Sequence, residues 1–328
     1  MPRILPRIRP RRLGGTPCFG YSAGLPRAAM NQRLSPSTAL LLTLPPLLWA
    51  GNAVVGRVVS PLVPPLTLNF LRWAFAFLVM LPLAWPLLRA GSPLWPRIGR
   101  FTVLGLLGIG SYNALQYLAL RTSTPINVTL VGSSIPAFML GLGALFFGQR
   151  ITGRQVAGAV LSIAGVLLVL AHGELSHLAQ VHFVAGDLYM LLATAGWALY
   201  SWLLTRPGDP PEIRSDWAAF LMAQLVPGLA WSGLFAAVET AVVPQPIQWG
   251  WPLAAALAFI VIGPAIVAYR CWGLGVQRVG PNIAGFFSNL TPLFAAIFSA
   301  AFLGEPPHLY HALAFALIVG GIVVTSRR

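Results

Sequence analysis

The sequence contains no lysine; all 21 of its basic residues are arginine. It has only seven acidic residues, and none comes before Glu174. Its two cysteines, Cys18 and Cys271, lie too far apart to indicate a disulfide framework or a metal site. Charged residues make up 9% and hydrophobic residues 57%, whereas a soluble domain carries about a quarter charged residues. Scarce charge excludes an ordinary soluble domain. Scarce carboxylates weigh against a membrane-embedded transferase, which needs clustered acids or a metal site. No cofactor and no metal is expected. His172, His177 and His182 share one polar stretch, which reads as a solvated loop.

What the chain has instead is long apolar runs near the ~20-residue length that crosses a bilayer. Ten can be marked, at 38–59, 66–88, 99–120, 123–147, 152–171, 185–205, 215–238, 249–273, 279–303 and 307–326. The predicted class is an all-α integral membrane protein. The net charge of +14 does not point to nucleic acid, because the arginines sit in the tail and in alternate connections. One set of connections holds Arg33, Arg89, Arg97, Arg100, Arg150, Arg154, Arg206, Arg214, Arg278, Arg327 and Arg328. The other holds only Arg57 and Arg121. Positive charge marks the cytoplasmic side, so the expected placement is the cell (inner) membrane with both termini inside. Residues 1–37 read as a basic disordered tail, with Met30 as the expected initiator.

The chain also contains one stretch twice. Pro125, Pro136, Phe138, Ala144, Phe146, Gly148, Leu161 and Gly165 return 156 positions later as Pro281, Pro292, Phe294, Ala300, Phe302, Gly304, Leu317 and Gly321. A shared offset of this kind indicates duplication. Trp49-Ala50 and Trp197-Ala198 extend it to the start of each half. The halves are then 38–171 and 185–326, joined by an extracytoplasmic loop at 172–184. Five spans per half is odd, so the second copy enters the membrane upside down: ten transmembrane helices as an inverted five-plus-five repeat. Such repeats belong to carriers with a site at the midplane. Pro136 and Pro292 fall in mid-run, where each removes a backbone hydrogen bond and predicts a bend.

Several short pieces match a known pattern: Leu-Trp-Ala-Gly-Asn at 48–52, Leu-Arg-Trp-Ala-Phe-Ala at 71–76 and Tyr-Leu-Ala-Leu at 117–120. Phe-Leu-Gly-Glu at 302–305 and Gly-Gly-Ile-Val-Val at 320–324 complete it. On these the chain resembles the EamA family of the drug/metabolite transporter superfamily over about residues 38–326. The family ends its fourth and ninth helices with Gly-Glu. This chain keeps Gly304-Glu305 but has Gly148-Gln149. The resemblance implies export of amino acids, their derivatives or amphipathic drugs.

Polar groups inside the runs are the candidate site. A buried charge costs about 2.5–3.5 kcal/mol on insertion scales, which singles out Arg72 and Arg270; each either faces a cavity or snorkels to the headgroups. Asn52, Asn113, Gln116, Asn127, Tyr200, Tyr269 and Asn289, with Trp49, Trp197 and Trp272 near them, suit an apolar and aromatic cavity with a few orienting amides. As single residues they read equally as helix-to-helix glue. Asp187 reads as a helix-start residue rather than a proton relay. Gly158 and Ser162, and the ladder Ala312, Ala316, Gly320, read as close packing or a homodimer face. The expected function is a secondary transporter of small molecules in the lipid bilayer, working by alternating access. The alternatives are an anion or phosphorylated-metabolite exchanger, a channel, and the transferase.

Overall fold

The computed structural model describes residues 34–123, 125–171, 173–174, 176, 184–243, 245–303 and 308–327. The tail with Met30, most of the loop 172–184 and the Gly304-Glu305 pair lie outside the described residues. What is described forms helices and short connections, with no strand among them. Eight helices are long and apolar enough to cross a membrane. Their outer surfaces carry large exposed apolar side chains, among them Leu78, Leu83, Leu145, Val160, Trp251 and Leu313. Water is a poor solvent for such a surface and lipid a good one, so the chain is a multi-pass membrane protein.

The helices run α1 (Pro36–Val59), α2 (Pro65–Ala84), α3 (Ile98–Leu104), α4 (Tyr112–Thr122), α5 (Pro125–Gly132), α6 (Ile135–Phe147) and α7 (Gly153–Leu170). They continue as α8 (Ala185–Leu203), α9 (Pro211–Arg214), α10 (Trp217–Val242), α11 (Trp251–Ile260), α12 (Ala268–Val279), α13 (Pro281–Phe287), α14 (Leu290–Leu303) and α15 (Leu309–Ser326). Two seven-residue π-helical segments, Gly105–Ser111 and Val261–Val267, join α3 to α4 and α11 to α12.

Two of the ten expected runs are absent from the eight spans. The run 185–205 is helical as α8, but Asp187, Thr194 and Ser201 lower its hydropathy. The run 279–303 is broken into α13 and α14. Other spans are longer than the apolar run predicted: among them 99–120 becomes Trp95–Thr122, 215–238 becomes Trp217–Val242 and 249–273 becomes Trp251–Val279. Gln277 and Arg278 end the apolar run before the helix itself ends.

The element bounds repeat with the offset found in the sequence. Adding 156 to 105 and 111 gives 261 and 267, the second π segment. Adding it to 153 and 170 gives 309 and 326, the bounds of α15.

Lateral contacts define the two ends of the bundle. At one end Gln248 N–H donates to Leu62 O over 2.8 Å, and the N-terminus of α2 rests on Glu239 of α10. Leu66 and Thr67 N–H groups donate to that carboxylate over 3.1 and 2.8 Å, which satisfies donors that a helix start leaves free. Arg121 lies 3.6 Å from the same carboxylate. The other end holds Asp209, whose buried carboxylate accepts from Arg100 of α3 and from Arg214 Nη1 over 3.2 Å. Both arginines also donate to the carbonyls that close α8, Arg100 to Leu203 over 3.2 Å and Arg214 to Leu204 over 2.8 Å. Burial pulls the Arg214 pKa below its ordinary value, while the Asp209 carboxylate raises it.

Helices α7 and α15 pack along their length. A Cβ added at Gly158 would sit 1.9 Å from Thr325 Oγ1, and one at Gly165 would sit 2.8 Å from the Ala314 carbonyl. Gly158 and Ser162 therefore face α15. Ala312 and Ala316 are on its exposed side, so the two small-residue stripes do not meet.

Candidate functional site

Both mid-run prolines sit at helix breaks. Before Pro136, α5 stops at Gly132 and α6 starts at Ile135. Ser133 and Ser134 turn the chain there, and their hydroxyls donate to the carbonyls of Leu130 and Val131 over 2.6 and 2.5 Å. Before Pro292, α13 stops at Phe287 and α14 starts at Leu290, with Ser288 N–H bonded to Gly285 O over 3.1 Å. At the first break serine hydroxyls thus bond carbonyls of the preceding turn, and at the second a backbone N–H does so.

The carbonyls of the two π segments take donors from side chains elsewhere in the chain. The Tyr269 hydroxyl donates to Gly108 O. Asn69 Nδ2 donates to Ile109 O over 3.3 Å. Across the bundle, Trp49 Nε1 donates to Pro264 O over 3.3 Å. Gly105, Gly108 and Gly110 let the first segment approach its neighbours: a Cβ at Gly108 would meet the Tyr200 ring at 2.7 Å, and one at Gly105 the Gln224 carbonyl at 2.8 Å.

Between the breaks lies a cavity of about 150 Å³. Its wall includes Trp49 and Asn52 of α1, Asn113 and Gln116 of α4, Trp197 of α8, and Asn289 and Pro292 from the second break. Tyr112, Thr129, Ser133, Ser288 and Thr291 add hydroxyls. Among the described residues, no Asp, Glu or His lines it. It occupies the half of the bundle away from the Asp209 end, since Asn52 follows Trp49 towards the C-terminus of α1 and Met190 lies near the start of α8. Three buried oxygens of its wall residues, Asn52 Oδ1, Asn289 Oδ1 and Ser288 Oγ, have no hydrogen-bond partner, whereas native interiors leave few such atoms. Asn289 Nδ2 donates to Ser162 Oγ over 2.9 Å.

An aromatic cluster floors the cavity. Trp49 meets Trp197 edge to face at 5.2 Å and Trp272 at 5.5 Å, and Trp197 meets Tyr269 at 5.6 Å. Each such pair contributes about 0.5–1.5 kcal/mol beyond burial. Trp272 is in the floor rather than the wall, with Nε1 donating to Ser201 Oγ over 3.1 Å. Beyond it, towards the Asp209 end, is a second cavity of about 60 Å³ between α8, α10 and α12. Tyr200 belongs to this one, its hydroxyl donating to Gln224 Oε1 over 2.9 Å. Tyr269 lines both cavities.

The two candidate arginines part company. Arg72 is 1% exposed, which corrects the snorkelling alternative for it: position along a helix does not say which face a side chain takes. Its guanidinium carbon lies 4.8 Å from the Trp73 ring centre, and Nε and Nη1 have no hydrogen-bond partner. It is not part of either cavity wall. Arg270 is exposed and sits over the Trp217 ring at 4.4 Å, in the second cavity. It lies nine residues, about two and a half turns, before the end of α12 at Val279. Asn127 falls outside the residues whose side chains are described. Asp187 is buried at the start of α8, where it accepts from Val184 N–H over 2.8 Å and from the Ser123 hydroxyl.

Sequence reading missed Tyr112, Asn69 and Gln224, and both π segments. The glycine spacing 105, 108, 110 was the available signal, since it brings two backbones together.

The sequence pattern of the EamA-like transporter family matches residues 36–171 and again 184–327. An uncharacterized transporter of Archaeoglobus fulgidus is 26% identical over 90% of this chain and 99% of its own length. The aromatic amino acid exporter YddG of Ancylobacter novellus is 25% identical over 89% and 98%. A probable amino-acid metabolite efflux pump of Escherichia coli is 26% identical over 89% and 95%. One solved crystal structure shares the fold with a TM-score of 0.67, at 24% identity over 89% of this chain and 96% of that one. Each matched half carries one proline break and one π segment, both breaks line the central cavity, and the chain belongs to the EamA-like transporter family.

Proposed function

We propose that the chain is a secondary transporter that exports small metabolites of amino-acid size by alternating access, with ten spans arranged as an inverted five-plus-five repeat. The observation that carries this is the cavity held between two broken helices at positions related by the repeat. Broken helices at such a site are how carriers place polar backbone beside a substrate. At about 150 Å³ the cavity is smaller than the roughly 300–1,000 Å³ of sites for drug-sized ligands, which favours a small solute. Aromatic rings around it suit an apolar side chain, and the amides and hydroxyls suit the polar end. The relatives' names, amino acid exporter and efflux pump, supply the substrate class and the direction. The arginine-rich end is the cytoplasmic one by the positive-inside rule. Arg72 stands outside the cavity wall, so the phosphorylated-anion exchanger has no support there, and a transferase has none among relatives named transporters.

Counterflow in proteoliposomes tests the reading. Unlabelled L-phenylalanine on one side should accelerate uptake of labelled phenylalanine from the other, as a carrier requires and a pore does not allow. With no carboxylate or imidazole among the described residues of the wall to carry a proton, an added pH gradient should change the rate little. Flux without trans-stimulation would overturn the carrier assignment. Uphill accumulation driven by a pH gradient alone, and lost in Asp187→Asn, would make Asp187 a coupling site instead of a helix-start residue.

A further inference from the structure

The second cavity has the wrong character for packing space and the right one for an anionic group. Its wall brings together Arg270, Gln277, Ser215 and the Tyr200–Gln224 pair, over apolar Trp217 and Phe220. Arg214 is also there, but Asp209 neutralises it. Arg270 has no carboxylate within ion-pair distance among the described residues, and its guanidinium carbon lies 4.4 Å from the Trp217 ring centre. A guanidinium held over an aromatic ring keeps N–H groups that can take a carboxylate in two parallel hydrogen bonds. The cavity thus sets an apolar shelf beside a cation that no carboxylate among the described residues neutralises, at the Asp209 end of the bundle.

Its inner wall is Tyr269, the residue it shares with the central cavity. The hydroxyl of that tyrosine is tied to the Gly108 carbonyl in the first π segment, and its ring packs on Trp73 at 4.9 Å. This ring therefore stands at the boundary between the two cavities. We propose that the second cavity is a loading site for a carboxylate-bearing metabolite, with Arg270 receiving the carboxylate and Tyr269 separating the loading site from the central cavity. The inference rests on the transport reading for the fate of the solute, but not for its binding. It also divides the labour between the two cavities. Arg270 reads the carboxylate at the loading site, while the central wall, with its unpartnered Asn52, Asn289 and Ser288 oxygens, offers acceptors to the N–H donors of an ammonium group.

Binding can be read at Arg270 itself, without transport. The purified full chain in neutral detergent is modified with phenylglyoxal, and each arginine is followed by mass spectrometry with benzoate or benzamide present. Benzoate should slow modification of Arg270 several-fold, and benzamide should not. Arg278, exposed on the same helix, should be indifferent to both. No protection, or equal protection of Arg278, overturns the loading site. A transport arm then addresses the pathway. Arg270→Gln should raise KM for phenylalanine entering from the arginine-rich side about tenfold, the 1.4 kcal/mol expected for one charge-assisted contact. It should leave entry of phenylalaninamide from that side unchanged, and Arg270→Lys should recover part of the loss. Equal effects on phenylalanine and its amide, or an effect seen only in anionic lipid, would refute it. If wild-type protein moves neither solute, the transport reading fails, and the protection experiment still decides the loading site.

Discussion

Replacing Asp209 with asparagine removes the charge that holds one end of the bundle together. The carboxylate is 1% exposed in its side chain and serves Arg100 and Arg214, which are 20% and 29% exposed. Loss of one partner from a buried ion pair costs about 3–5 kcal/mol. Here both guanidinia keep some water, which screens them, so roughly 2–3 kcal/mol is expected. Asparagine is close in shape and can still accept one hydrogen bond, so the loss is electrostatic and not a cavity. Both arginines would keep their bonds to Leu203 O and Leu204 O, so α3 and α9 should stay tied to the end of α8 while the connection that carries residue 209 loosens. The assay is unfolding of the purified protein in mixed micelles, followed through a cycle of Asp209→Asn, Arg100→Gln and the double variant. The double variant should lose less than the sum of the singles, with a coupling of about 1 kcal/mol or more. Additive singles, or an Asp209→Asn protein as stable as the parent, would show that the cluster does not hold this end.

Two other expectations follow from the site. Pro136→Ala and Pro292→Ala restore a backbone donor at each break, and each should leave the protein inserted while slowing phenylalanine counterflow; normal rates in both singles and in the double variant would make the prolines packing features. Arg72 carries a buried charge without a hydrogen-bond partner at Nε or Nη1, so Arg72→Met should unfold no more readily than the parent, because an apolar side chain of similar length suits the site as well or better; destabilisation by more than about 2 kcal/mol would mean that the guanidinium is stabilised by a group other than the Trp73 ring.

The apolar runs, the duplication and the two proline positions were legible because each is a local property: hydropathy, identity at a fixed offset, and a missing N–H. Trp49 and Trp197 were legible as a Trp-Ala pair near the start of each half, 148 rather than 156 positions apart, and both line the central cavity. The π segments were not. A bond from residue i to i+5 leaves no periodicity in seven residues, and these segments depend on donors from Asn69, Trp49 and Tyr269 on other parts of the chain. The depth of Arg270 in its helix was not legible for a related reason. Gln277 and Arg278 end the apolar run, but nothing in hydropathy says that the helix continues to Val279.

The repeat also shows where the two halves must differ. In an inverted repeat the halves exchange roles when the carrier turns from one face to the other, so identical halves would make the two facings equal in energy. Position 113 and its equivalent, 113 plus 156, are Asn113 and Tyr269. Asn113 lines only the central cavity, while Tyr269 lines both cavities and reaches across to the first π segment. One hydrogen bond present in one facing and absent in the other is worth about 0.5–1.5 kcal/mol, up to roughly tenfold in population. The central cavity lies in the half of the bundle away from the arginine-rich end, with Tyr269 in its wall. For the alternating-access carrier proposed above, the exchange of asparagine for tyrosine between these two positions would bias the protein towards one facing without a charge or any change in the backbone pattern that the repeat preserves.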